Sequence, residues 1–299
     1  MRFEFMKTHS EKFPIEKMAK ILGVSRCGYY EYLERKEGKR ALEKETLLSE
    51  IKRVHKTSKE RYGSPRIHAE LKKQGSSCSR KRIAQLMKEE KIQAKAKKKW
   101  KRTTIQSKKV LEIAPNHLDQ QFTVEEPNKV WVSDITYVWT AEGWLYVAIV
   151  LDLFSRMVVG LSMGNTLETK IVTGALKQAL YRRHIIDGNL MHHSDRGCQY
   201  TSKEFKELAL SDGITLSMSG KGHCYDNAVA ESFFHTLKAE EIHFNHYRTR
   251  EEAKVAIFEY IEVFYNRQRL HSTLGYKSPC EFEDIWKKQK NQQIYVRTV

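Results

Sequence analysis

The sequence contains no run of about 18 apolar residues, the minimum for a bilayer-spanning helix. Its first residues, "MRFEFMKTHSEKF", lack the apolar core of a secretory leader. Cysteine is sparse: Cys27, Cys78, Cys198, Cys224 and Cys280 are odd in number, widely spread and never spaced as CxxC. A disulfide framework and a zinc ribbon are thereby excluded. These absences point to a soluble, reduced, cytoplasmic protein. Acidic residues are scarce in one region only. Residues 1–110 hold 32 Lys and Arg against 13 Asp and Glu, whereas residues 111–299 hold 21 against 24. The formal charge of +16 is therefore concentrated in the first third of the chain. A basic arm on a near-neutral body calls for a polyanionic partner, most simply nucleic acid.

The 299 residues suffice for two domains. Apolar residues at 15, 18, 19 and 22 follow helical spacing, with Pro14 at the start and Gly23 at the stop. Ser25 then caps a second helix carrying Tyr29, Tyr30 and Leu33, so residues 1–40 outline a helix-turn-helix. Residues 41–94 repeat the pattern. Leu47, Leu48, Ile51 and Val54 mark one helix, "GSPRIHAELKKQG" a second with Ser64 as its cap, and "SRKRIAQLMKEEKI" a third capped by Ser79. Arg80, Lys81 and Arg82 crowd the first turn of that third helix, where cations oppose the dipole. A recognition helix that points this end at DNA phosphates accounts for them, and so does a solvated basic helix. In residues 95–128, "KAKKKWKRTTIQSKK" is too charged to pack; Lys97, Lys98, Lys99, Lys101 and Arg102 read as a phosphate-neutralising tether around Trp100.

The texture changes at residue 129. "VWVSDITYVWT", "GWLYVAIVLDLFS" and "RMVVGLSMG" are rich in β-branched and aromatic residues and read as three consecutive strands. Helices at 168–183, "SKEFKELALSDG" and "YDNAVAESFFHTLKAEEI" then alternate with short strands "LMHHS" and "ITLSMS". The expected fold is α/β: a mixed five-stranded sheet flanked by helices over 129–245, preceded by small all-α modules and followed by a helical extension over 246–299.

Three carboxylates stand out. Asp134 lies mid-strand among Val130, Val132, Ile135 and Tyr137, where an unpaired acid is costly. Asp195 stands where the strand "LMHHS" stops. Glu231 sits on a helix with Asn227, His235 and Lys238 on its own face. Acids from a strand, a strand end and a helix can converge at one edge of a sheet. Their hard oxygens suit Mg²⁺ or Mn²⁺, and two such ions serve in-line phosphoryl displacement. His192 and His193 read as packed, hydrogen-bonded histidines or as phosphate contacts. Asp152 reads as a turn cap, an Arg156 partner or a fourth acid, and Asp226 as a cap for the Glu231 helix.

"WVSDITYV", "LDLFSRMVVG", "HHSDRGCQYTS", "GKGHCYDNAVAESFFHTLKAE" and "FYNRQRLHSTLGYKSPCEFE", with 35 residues between Asp195 and Glu231, resemble the DDE transposases of bacterial insertion sequences. More narrowly, they resemble the group with two overlapping reading frames, whose catalytic part is similar to retroviral integrases. The likeness runs from about residue 14 to 284. The resemblance implies an RNase H-like catalytic core, Asp134, Asp195 and Glu231 as a metal-binding triad holding two Mg²⁺ or Mn²⁺ ions, and Lys238 as a contact to the element's end. It implies cleavage and strand transfer on double-stranded DNA by a homo-oligomer in the bacterial cytoplasm, associated with the nucleoid when bound to DNA. The upstream-frame product is a further candidate partner. Two other functions fit the same residues: a non-catalytic DNA-binding regulator of transposition, and a plain RNase H-fold nuclease.

Overall fold

The structure is a computed structural model that describes residues 1–34, 39–95, 113–185, 188–220 and 225–298. The chain divides into two compact units, Met1–Ala94 and Lys95–Val299.

The first unit is all-α. Helices α1 (Arg2–Thr8), α2 (Ile15–Leu22) and α3 (Arg26–Glu34) pack around Met6, Met18, Ala19 and Tyr29. Gly23 ends α2 in the left-handed conformation, φ +62°, which glycine adopts without a Cβ penalty. The Oγ of Ser25 accepts the Gly28 N–H at 3.4 Å at the start of α3. Helix α1 was not expected from the sequence. Helices α4 (Lys39–Thr57), α5 (Ser64–Lys73) and α6 (Arg80–Glu89) bury Ile51, Ile67, Leu71 and Ile83 between them. The residue capping α5 is Gly63, one position before the expected Ser64, which forms the first helical residue ahead of Pro65. Ser79 caps α6 as expected, accepting the Arg82 N–H at 3.3 Å.

The second unit is built on five strands: β1 (Val130–Thr140), β2 (Gly143–Asp152), β3 (Val158–Gly164), β4 (Met191–Ser194) and β5 (Thr215–Met218). Their order is β3-β2-β1-β4-β5, with the first three antiparallel and β4 and β5 parallel to β1 and to each other. Alternation along the pleat sends Trp131, Ala148 and Val150 into a core with α7 (Thr169–Arg183) and α8 (Lys203–Ser211). Gly160 on β3 allows α7 to come close, since a Cβ there would fall 2.1 Å from the Ala175 carbonyl oxygen. The intervening positions Val132, Val138, Leu145, Val147 and Ile149 are buried as well, in keeping with α9 (Ala228–Glu240) and α10 (Arg250–Glu259), which contact β1.

Buried polar ties fasten the last fifty residues to this sheet. Past α10 the chain makes a π-helical turn, Tyr260–Tyr265. Asn266 then pairs with β3 as a strand residue would: Val158 N–H donates to its Oδ1, and its Nδ2 donates to the Val158 carbonyl, both at 3.0 Å. Arg269 grips Glu240 of α9 through Nε and a terminal nitrogen at 2.7–3.1 Å, and Tyr260 donates to the same carboxylate at 2.9 Å. At the start of α11 (Pro279–Thr298), Glu283 accepts two bonds from Arg183 at 2.7 Å and one from Ser155 at 2.6 Å. Among the described residues no helix is long and apolar enough to cross a membrane.

Candidate active site

Strand pairing sets the segments that carry the first two acids side by side. Val130, Trp131 and Val132 pair with Met191, His192 and His193. Asp134 follows two residues after Val132 and Asp195 two residues after His193, and the Asp134 carboxyl lies in the field of Asp195. Asp134 is half-buried, and its Oδ1 accepts the N–H of Ile135 at 2.8 Å. Asp195 sits just past the C-terminal end of β4, where the chain turns and the N–H of Gly197 donates to its Oδ1 at 2.9 Å. A side chain at position 197 would place its Cβ 3.0 Å from that same oxygen, so glycine keeps the turn tight.

Glu231 lies in the first turn of α9. Asn227, at the head of this helix, donates through Nδ2 to the carbonyl of Ser133 at 3.0 Å, one residue before Asp134. The helix carrying the third acid is thereby fixed to the strand carrying the first. Asp226 does not cap α9, contrary to expectation. It is buried and accepts bonds from Asn116 (2.9 Å), Gln120 (3.0 Å) and the Gly220 N–H (2.8 Å), which tie the segment before β1 to the connection between β5 and α9.

The electrostatics register the convergence. Burial, with repulsion from Asp195 and Glu231, pushes the Asp134 carboxyl up to about 8; the Ile135 N–H and the Lys238 ammonium oppose the shift. Burial also raises Asp195, against the bond from Gly197. Lys238 is lowered by burial and held up by Asp134. Its ammonium stands 5.3 Å from the centre of the Tyr137 ring. Asp134 is repelled by both other acids, a strain that a divalent cation would relieve, and carboxylate oxygens are the hard ligands Mg²⁺ and Mn²⁺ take. Among the described residues, no three His, Cys, Asp or Glu side chains are drawn around one point.

The neighbours complete the picture. His192 and His193 are buried and pushed down to about 3 and about 4, chiefly by burial, so both are neutral near pH 7. His192 pairs with Ser133 at 2.7 Å; His193 pairs with Ser217 at 2.8 Å and Ser219 at 3.2 Å. They are packing histidines. Asp152 ends β2 as a turn cap: it accepts the N–H groups of Asn128 (2.8 Å) and Phe154 (2.9 Å) and the indole of Trp131 (3.3 Å). Burial raises it to about 6. Tyr200 was not singled out from the sequence. It is buried, its hydroxyl has no hydrogen-bond partner among the described residues, and burial with the fields of Asp134 and Asp195 holds it well above the usual range. Its signal was the aromatic in "CQYTS", five residues after the acid.

The expected DNA-binding residues fall into three places. Lys238 stands with the acids. Arg80, Lys81 and Arg82 are exposed on the first turn of α6 in the first unit. Lys97, Lys98, Lys99, Lys101 and Arg102, with Trp100, lie outside the described residues.

A mixed sheet of this order, with acids on its first strand, just past its fourth and on the helix that follows its fifth, is the RNase H-like core of a polynucleotidyl transferase. An integrase core domain matches residues 124–224 and again 231–285, and an HTH-like domain matches residues 42–100. The chain is 43% identical to an uncharacterized 31 kDa protein of insertion element IS600 from Shigella sonnei, over 89% of this chain and 97% of that one. It is 39% identical to the transposase InsF of insertion sequence IS3A from Escherichia coli (strain K12), over 95% of this chain and 99% of that one. The magnesium-bound catalytic core of HTLV-2 integrase is similar at 17% identity and a TM-score of 0.35, covering 52% of this chain and 96% of that core. The chain belongs to the insertion-sequence transposases with an integrase core domain, which are metal-dependent DDE polynucleotidyl transferases.

Proposed function

We propose that this transposase cleaves at the ends of its element to expose a 3′-hydroxyl and joins that hydroxyl to a target phosphodiester, with Asp134, Asp195 and Glu231 as the metal-binding acids. The observation that supports the assignment is the combined field of Asp195, Glu231 and Lys238 on the Asp134 carboxyl, beside the parallel pairing of β1 with β4. Asp134, Asp195 and Glu231 would together hold the divalent ions. When bound, such ions lower the cost of forming the attacking oxyanion and of releasing the leaving oxygen. The chain's own residues do the rest. Asn227 holds the Glu231 helix against β1, Gly197 holds Asp195 at the strand end, and Lys238 offsets the charge of the incoming phosphate.

Residues 1–40 and 41–94 act as DNA-binding modules, with Arg80, Lys81 and Arg82 neutralising phosphates and Lys97, Lys98, Lys99, Lys101 and Arg102 adding to the hold from the 95–128 tether. The enzyme acts as a homo-oligomer on two ends, with the upstream-frame product as a further partner. Purified protein incubated with end-labelled DNA from the flanks of its gene, in Mg²⁺, should give nicked and then joined products. Asp134→Asn, Asp195→Asn and Glu231→Gln should each abolish both while leaving DNA binding intact. Hydrolysis without joining identifies a nuclease; binding without cutting identifies a regulator.

A further inference from the structure

The hairpin of β1 and β2 ends in aromatic rings that the core does not use. Tyr137, Trp139 and Trp144 are 55%, 60% and 43% exposed. Strand register pairs Trp139 with Trp144 and Tyr137 with Tyr146. The rings interlock edge to face: Tyr137 and Trp144 have centroids 5.0 Å apart at 84°, and Trp139 and Trp144 4.8 Å apart at 74°. Of the other aromatic residues in these strands, Trp131 is buried and Tyr146 is half-buried against the α7–α8 core. A contiguous aromatic surface left open to water marks a contact for another molecule.

Two observations indicate what that molecule is. Lys238 links the surface to the candidate active site: its ammonium lies in the field of Asp134 and stands 5.3 Å from the centre of the Tyr137 ring. It is also edged by cations. Lys238 flanks Tyr137, and Arg250 lies at the hairpin tip, where its Nε donates to the Trp144 carbonyl at 3.0 Å. The acid at this edge, Glu142, is engaged by the Arg250 N–H at 2.8 Å. Aromatic faces flanked by cations suit nucleic-acid bases with their phosphates. Base pairs inside a duplex hide both faces and a terminal pair opens only one, so unpaired bases fit these rings best.

We propose that Tyr137, Trp139 and Trp144 form a stacking platform for unpaired bases next to the scissile phosphate, so that the enzyme holds the element's end frayed. This rests on the assignment of the active site given above. Without divalent metal, the full chain should bind a duplex ending in three unpaired nucleotides more tightly than the same duplex with a blunt end. A 2-aminopurine among the unpaired bases should lose fluorescence on binding. Trp139→Ala and Trp144→Ala should each weaken tailed-duplex binding about tenfold and leave blunt-duplex binding unchanged, whereas Trp139→Phe should retain the preference. Equal affinity of the wild type for both DNAs overturns the proposal, as does equal weakening of both by alanine. Dissociation of a dimer by Trp139→Ala in sedimentation, with the DNA preference intact, would assign the surface to a second copy of the chain and also overturn it. Run in an Asp134→Asn background, the assay separates the two readings. Retained tail preference supports the platform whatever the chemistry, and cutting by that variant once Mg²⁺ is added refutes the acid assignment without touching the platform.

Discussion

Removing Asp134, one of the three acids proposed to hold metal, should make the metal-free protein more stable. Asp134 is held near pKa 8 against an ordinary 3.8, so the folded chain keeps a proton that the unfolded chain gives up above about pH 4. Stability from this group is therefore fully present below about pH 4 and is lost as pH rises toward 8. At pH 7 roughly three pH units of this window have been crossed, at about 1.4 kcal/mol each, which makes about 4 kcal/mol. The half-open site screens part of it and leaves about 2 kcal/mol. Asp134→Asn removes the ionisable group and should gain about that much at pH 7 in EDTA, with little gain at pH 4.5. Urea unfolding followed by tryptophan fluorescence suits the measurement, because Trp131, Trp139, Trp144 and Trp286 all lie in the catalytic unit. Excess Mg²⁺ should stabilise the wild type by mass action and leave the variant unmoved. A variant that is less stable in EDTA at pH 7, or a difference that does not change with pH, would refute the reasoning.

Three further outcomes follow from the same geometry. Arg269→Ala takes away the cation paired with the buried Glu240 carboxylate and should cost about 3–5 kcal/mol in urea unfolding, with Arg269→Lys recovering only part because a lysine cannot make the forked contact. Asn266→Ala breaks both bonds to Val158 on the edge strand and should cost about 2 kcal/mol, measured the same way. Replacing Arg80, Lys81 and Arg82 by alanine should leave stability within about 0.5 kcal/mol, since all three are exposed, and should reduce the slope of log affinity against log salt by about one for each phosphate no longer neutralised.

The parts of the site legible in the sequence were those with a local cost. An acid amid Val132, Ile135 and Tyr137 has no cheap structural explanation, and an acid at a strand end invites a partner. Helix stops and caps such as Gly23 and Ser79 follow from single-residue geometry. What escaped was set by distant segments. Asp226 precedes a helix and so looks like a cap, yet its partners Asn116 and Gln120 lie more than a hundred residues upstream. Tyr200 reads as one more aromatic until the sheet places it under Asp134 and Asp195. Tyr137, Trp139 and Trp144 serve as strand formers in any sequence reading, because β propensity does not say which rings stay uncovered.

The account depends on three acids forming one cation site. Mn²⁺ binding to the full chain, measured by titration calorimetry near pH 8, tests that directly. The account predicts that Asp134→Asn, Asp195→Asn and Glu231→Gln each weaken the same binding event, while Asp152→Asn, which alters only a buried turn, leaves it intact. Unchanged Mn²⁺ affinity in any of the first three would contradict it.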